Sequence, residues 1–321
     1  MNPATSAEVR SPTLDVTIAG VRFPVPILAA PGPLGFGREV RTVMDLRAFG
    51  GFITKSVTVE PRAGHPRPDI VEVEGGWLNA VGLRNPGIGA FVHRDLPFLR
   101  TLGIPIIVSV AGNTIEEFQQ LLEILEEEAG VAALEVNVSC PNVRAGRRFG
   151  SDPELVAGLL ARLRPMTRRP LFVKLSPLAA DVTAVARAAA EAGADAFCCI
   201  NTIPALAIDV ESRRPLLGAG PGGLSGPAVR PVAVWTTWRV ARATGLPVIG
   251  AGGVRSARHA LEFLLAGARA VAVASAVITD PEAPARIAEG LRAYLREHAI
   301  AGVADLIGGA VGLEDVEDDG A

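Results

Sequence analysis

The stretch PVIGAGGVRSARHALEFLLAGARAVAVAS, Pro247 to Ser275, decides how the whole chain is read. It begins with an apolar run and turns on a pair of glycines. It continues as an amphipathic Ala/Leu/Arg-rich segment from Ser256 to Gly267, and closes with a second apolar run. A short apolar run without polar alternation is what a parallel strand buried on both faces requires. A segment that starts at serine and stops at glycine carries the end signals of a helix. The unit reads as strand, helix, parallel strand.

The same unit recurs outward along the chain. Apolar runs PILAAPG, GFITKSV, PIIVSVAG, ALEVNVSC, LFVKLSP and AFCCINT precede the opening stretch, and its own two runs bring the strands to eight. Between them, REVRTVMDLRAFG, TIEEFQQLLEILEEEAG, DPELVAGLLARLRP, DVTAVARAAAEAG and AVRPVAVWTTWRVARATG read as helices. Eight such repeats predict an α/β fold of the (β/α)8 TIM-barrel type. The expected organisation is one domain over residues 1–321, with its core at about 14–312 and an acidic, disordered tail LEDVEDDGA. LDVTIAGVRF reads as an N-terminal hairpin. Two connections, 58–87 and 203–226, are long enough to be binding segments over the C-terminal face.

Composition narrows the function. The 321 residues are 49% hydrophobic, enough for one large core, and the net charge of -3 offers no global attraction to nucleic acid or an anionic membrane. The N-terminus lacks a signal-peptide core and every apolar run is interrupted before membrane-spanning length, so a soluble cytoplasmic protein is expected. Three cysteines, two of them the strand neighbours Cys198 and Cys199, make a disulfide framework improbable and fit a reducing compartment. Neither His65 nor His93 has a metal-ligand spacing, and no metal is expected.

Barrels of this type build their sites at the C-terminal strand ends. The last residues of the strands and the loops just beyond supply Lys55, Ser56, Asn113, Asn137, Cys140, Lys174, Asn201, Thr202, Gly252, Gly253 and Ser275, and the first long connection adds Asn79. One asparagine there is a common turn former. Four amides and two lysines converging on one mouth point to a polar ligand. The small residues after the last two strands, with GGLSG at Gly222 to Gly226, suit a phosphate held on backbone N–H groups. GAGGVR is not a dinucleotide fingerprint, because Arg255 stands where the third glycine belongs. In ALEVNVSCPNV, Cys140 taken alone reads as a small packing residue. At a barrel mouth it becomes a candidate nucleophile or general base, and a thiol with a reference pKa of about 8.5 can accept a carbon-bound proton from a fixed substrate.

NVSCPNV, TKSVTVEPR, LNAVGLRNPG, VKLSP, INT, AIDVESRRP, GGLSGPA and PVIGAGGV together resemble the class I dihydroorotate dehydrogenases, and their NAD-linked subclass in particular, from about Leu14 to the tail. The resemblance implies an FMN-containing barrel that oxidises dihydroorotate to orotate. It implies that Cys140 is the base and that Asn79, Asn137, Asn142, Asn201 and Thr202 hold the substrate. Lys55 would lie between flavin and substrate and Lys174 beside the flavin ring. Ser56, Asn113, Asn137, Gly226, Gly252, Gly253 and Ser275 would contact the flavin or its phosphate. The subclass also implies a smaller partner subunit carrying FAD and a [2Fe–2S] cluster, with the barrel a homodimer inside a heterotetramer. Pro31 and Ala274 depart from the family pattern at the flavin site, and Trp77 and Pro204 are unusual beside it. The alternatives are a flavin barrel acting on another dihydropyrimidine, a Schiff-base lyase using Lys174, and a binding barrel without catalysis.

Overall fold

A computed structural model describes residues 11–139 and 149–313. Eight parallel strands close into a barrel in chain order: β3 (Ile27–Ala29), β4 (Gly51–Ile53), β7 (Ile106–Val110), β8 (Val131–Asn137), β9 (Leu171–Lys174), β10 (Ala196–Cys199), β15 (Val248–Ala251) and β16 (Ala268–Val273). These are the eight expected from sequence. Their residues are almost all buried, because helices cover the outside and side chains fill the inside. Two registers place the chemistry: Asn137 pairs with Lys174, and Lys174 pairs with Cys198. Paired residues on parallel strands share a face, so these three point the same way.

The helices around the barrel begin where side-chain caps are available. Helix α3 (Ile115–Glu126) starts at Thr114, α4 (Pro153–Leu163) at Asp152, α5 (Val182–Glu191) at Asp181 and α7 (Ala257–Leu265) at Ser256, each cap accepting from backbone N–H groups of the first turn. Helix α6 (Arg230–Thr244) ends on Gly245 in the left-handed region (φ 66°). Helix α9 (Ala283–Glu297) closes the ring, after the one-turn α8 (Ala276–Thr279). Phe263 of α7 packs where Gly250 of β15 has no side chain, and a methyl there would strike its ring. A short helical run, α1 (Gly87–Ala90), a π turn and α2 (Leu96–Arg100), precedes β7.

Two expectations are corrected. REVRTVMDLRAFG forms turns and one 3-10 turn (Leu46–Ala48) rather than a helix. Asp45 accepts from the N–H of Arg47 and so restarts the chain in mid-segment, and the β-branched Val40, Thr42 and Val43 favour helix weakly. The long connections are also not plain loops. β5 (Ile70–Val73) and β6 (Gly76–Asn79) from the first pair with β11 (Ile203–Ala205) and β14 (Gly222–Ser225) from the second, in an antiparallel sheet of order β11-β14-β6-β5. A small hairpin, β12 (Ile208–Asp209) with β13 (Arg214–Pro215), extends the second connection. The N-terminal hairpin, β1 (Val16–Ile18) and β2 (Val21–Phe23), forms as expected. Its Phe23 ring packs on Gly51, the first residue of β4, so it seals the end where the strands begin.

Candidate functional site

At the opposite end, where the strands stop, a cleft opens to solvent. Lys174, Asn201, Thr202, Gly226, Gly252, Gly253 and Ser275 all line it, as do Pro31 and Ala274. Leu224 and Ser225 of GGLSG, together with Val229, which sequence reading did not single out, complete one wall. Among the described residues Lys174 brings the one cationic side chain to these walls, and it is 7% exposed.

The wall after β15 is made of backbone. Gly226 and Gly253 both hold positive φ, 109° and 71°. A Cβ on Gly253 would lie 2.7 Å from the Gly226 carbonyl oxygen and 2.8 Å from Cβ of Arg230. The two segments therefore meet through bare main chain, which only glycine allows. Behind them Arg230 donates to Glu262 (2.8 Å), and its Nη1 sits 2.9 Å from Nε2 of His259. The backbone N–H of Arg255 approaches the other ring nitrogen, Nδ1, at 3.3 Å. Each ring nitrogen faces a donor, and since a neutral imidazole can accept at one of them and a cation at neither, the arrangement disfavours the cation. Burial and then the Arg230 charge hold the His259 imidazole below its usual range, opposed by Glu262 and reinforced by Arg255 and Arg258.

The wall after β9 and β10 is made of side chains, those of Lys174, Asn201 and Thr202. Asn137, 7% exposed, donates from Nδ2 to Ser56 Oγ (3.0 Å) and accepts at Oδ1 from the N–H of Ser139 (3.2 Å). Ser56 Oγ lies 2.9 Å from Ser109 Oγ, and the Ser139 hydroxyl donates to the Lys174 carbonyl (2.9 Å). With both ends of its amide anchored, Asn137 retains one N–H and one lone pair for a ligand. Asn201 accepts at Oδ1 from the N–H of Thr202 (2.8 Å), leaving its amide N–H groups to offer.

Lys55, Ser56, Asn79, Asn113 and Asn137 are not among the residues lining the cleft. Lys55 follows β4, and burial followed by the Arg84 charge lowers its ammonium pKa, while Glu39 and Asp69 pull it back up. Arg84 is itself paired with Asp69 at 2.6 Å. Asn79 donates to the Gly223 carbonyl (3.1 Å), and Gly223 abuts the Thr202 side chain, which links β6 to the cleft wall. Asn113, half-buried after β7, donates its backbone N–H to Glu117 (2.7 Å). Cys140 and Asn142 lie outside the described residues. Asn85 does not join the ligand-binding amides: its side chain accepts from Thr58 and Gly87 and donates to Thr58 and Leu83, which makes it an internal latch.

Sequence reading missed Ser109 and Glu135. The signal was present, since each is a polar residue inside an otherwise apolar parallel strand, and both are fully buried. Among the described residues no group of three or more His, Cys, Asp or Glu side chains assembles as a metal site would need, and no helix is long and apolar enough to cross a membrane. The FMN that the resemblance implies fits what is present. A glycine-built cradle suits its phosphate, and a buried lysine with fixed amides suits a flat ring rich in carbonyl and N–H groups.

Comparison with known proteins agrees. A family model described as dihydroorotate dehydrogenase matches residues 13–295. A dihydroorotate dehydrogenase B (NAD(+)), catalytic subunit, from Desulforudis audaxviator (strain MP104C) is 51% identical over 296 residues, 92% of this chain and 96% of its own. Proteins of the same description from Geotalea uraniireducens (strain Rf4) and Geobacter sulfurreducens (strain ATCC 51573 / DSM 12127 / PCA) are 48% and 47% identical over 301 residues each, 94% of this chain and 99% of theirs. None of these relatives favours the alternative of another dihydropyrimidine or of a lyase.

Proposed function

The chain belongs to the dihydroorotate dehydrogenase family and oxidises dihydroorotate to orotate in pyrimidine biosynthesis, and from that premise we propose which residues carry the reaction and how its electrons leave. The observation that carries the assignment is the convergence of Lys174, Asn201, Thr202, Gly226, Gly252, Gly253 and Ser275 on one cleft. FMN, when bound, supplies the hydride acceptor. Gly226, Gly252, Gly253 and Ser275 would hold its phosphate end, and Ser56, Asn113, Asn137, Lys55 and Lys174 would contact the remainder.

Oxidation of the dihydropyrimidine ring removes one hydride and one proton and leaves a C=C bond. Asn79, Asn137, Asn142 and Asn201, with Thr202 and Lys55, orient the substrate, the amides matching its alternating N–H and C=O groups and its carboxylate. Cys140 takes the proton as general base. Ser139, the residue before it, supports this role, being tied at once to Asn137 and to the Lys174 carbonyl. Lys174 places a fixed positive charge where negative charge develops.

NAD is the final acceptor in this reading, as the names of the relatives describe for them. The chain's three cysteines cannot supply the four thiolates of an ordinary iron–sulfur cluster. The relatives are named catalytic subunits, and a second subunit with FAD and a [2Fe–2S] cluster would complete the path, on a homodimer of this barrel. The test is anaerobic. Dihydroorotate should bleach the flavin absorbance of the purified chain, and NAD should reoxidise it only when the partner subunit is added. Failure to bleach refutes the substrate, and rapid reduction of NAD by the chain alone refutes the partner.

A further inference from the structure

Glu135 has no part in the function described above, yet its position is unusual. It sits in the middle of β8, it is 0% exposed, and neither carboxylate oxygen has a hydrogen-bond partner among the described residues. A buried acidic group in that condition is costly, and it persists where a nearby cation offsets it or where function requires it.

The register shows which cation is near. Glu135 pairs with Ser109 on one side and Phe172 on the other, and two residues further along the same faces Asn137 pairs with Lys174. Residues two apart on a strand share a face, so Glu135 and Lys174 point into the barrel one layer apart on adjoining strands. Cys198, in register with Lys174, senses both. Burial pushes its thiol well up, the Glu135 carboxyl pushes it further, and the Lys174 charge pulls it back. In a buried setting a charge acts over longer range than in water.

We infer that Glu135 is the internal counter-charge of Lys174: from beneath the cleft it offsets part of the ammonium's field and thereby limits how strongly the site favours reduced over oxidised flavin. This rests on the flavin reading above. No group is transferred, because the effect is a field acting on a bound cofactor.

The test uses the FMN-loaded chain and reads the midpoint potential of the bound flavin. Glu135→Gln keeps the shape and removes the charge. The ratio of reduced to oxidised flavin affinity should rise about tenfold, which for two electrons is a shift of about 30 mV upward. Lys174→Met should shift the potential downward, and the double variant should fall between the two single ones. Glu135→Asp, which keeps the charge, should stay near the wild type. A Glu135→Gln potential that is unchanged or lowered overturns the inference, because lost packing alone would not produce opposite shifts that cancel. If Glu135→Gln does not fold, the wild type decides by reduced-minus-oxidised infrared difference spectra with ¹³C-labelled glutamate: a carboxylate band that moves on flavin reduction supports the inference, and none overturns it. Wild-type chain that takes up no FMN refutes the flavin reading itself, and that result is seen before any substitution is made.

Discussion

The two walls of the cleft are built from different materials. After β15 and β16 the chain offers main chain and small residues: Gly226 and Gly253 touch through bare backbone, and Ser275 is 9% exposed. After β9 and β10 it offers side chains, with Lys174 buried and Asn201 set by Thr202, and Asn137, paired with Lys174 at the end of β8, is locked between Ser56 and Ser139. A backbone wall recognises a ligand by letting it come close, so it fails when bulk is added. A side-chain wall recognises a ligand through particular donors and charges, so it fails when a group is removed. Retention of the cofactor should depend on the first wall and turnover on the second.

The largest effect is expected at Cys140, the residue that follows Ser139 in sequence. Cys140→Ser should keep its flavin while anaerobic reduction by dihydroorotate slows about 10²- to 10⁴-fold at neutral pH, the usual share of general base catalysis. The residual rate should climb toward alkaline pH, since a hydroxyl is a much weaker acid than a thiol. Stopped-flow reduction at the wild-type rate would return Cys140 to the packing role that the residue alone suggests.

Asn137→Ala should come next. It leaves Ser56 and the Ser139 N–H without their partner and removes one substrate amide, a loss of about 1–3 kcal/mol or roughly 5- to 150-fold in reduction by dihydroorotate, with flavin content close to normal. Loss of flavin with unchanged reduction of what remains would reverse the assignment of the two walls.

Gly253→Leu tests the other wall. A side chain there meets the Gly226 carbonyl and Arg230 and must also adopt φ 71°. A leucine side chain there would also block the close backbone approach of a phosphate, so flavin affinity should drop about tenfold or more in a protein that still folds, as read by flavin absorbance and far-UV circular dichroism. A fully flavinylated Gly253→Leu protein would move the phosphate elsewhere.

The smallest effect concerns the support behind the backbone wall. The folded protein holds His259 below its unfolded pKa, so between those two values the unfolded chain binds more protons and stability rises with pH. The contribution is therefore present above the unfolded histidine value and is lost as pH falls through the lower folded one. Thermal melts on the acid side of neutrality should show a smaller pH dependence in His259→Gln than in the wild type. Equal dependence in both would show that Arg230 and Arg255 do not press on this ring.

Much of this was readable from sequence, and the reason is local. Each barrel strand is a contiguous apolar run, and each capped helix begins at a residue whose side chain bonds within its own first turn, as Asp152 does with Glu154 and Leu155. Strand order follows chain order, so reading the strand ends was enough to collect Lys174, Asn201, Gly252, Gly253 and Ser275. The failed helix at 38–50 is also local, since Asp45 competes for the backbone from inside the segment.

The sequence by itself therefore determined the α/β alternation, the end of the barrel that carries the chemistry, and the family. Only the tertiary structure decided which polar residues meet. Asn137 and Ser56 are 81 positions apart, and Asn79 reaches Gly223 across 144. The sheet of β5, β6, β11 and β14 is assembled from short strands in two distant connections, and no periodicity within either one announces the pairing. Glu135 shows the difference most clearly: its letter stands in the strand for anyone to see, but its complete burial one layer below Lys174 exists only once the barrel has closed.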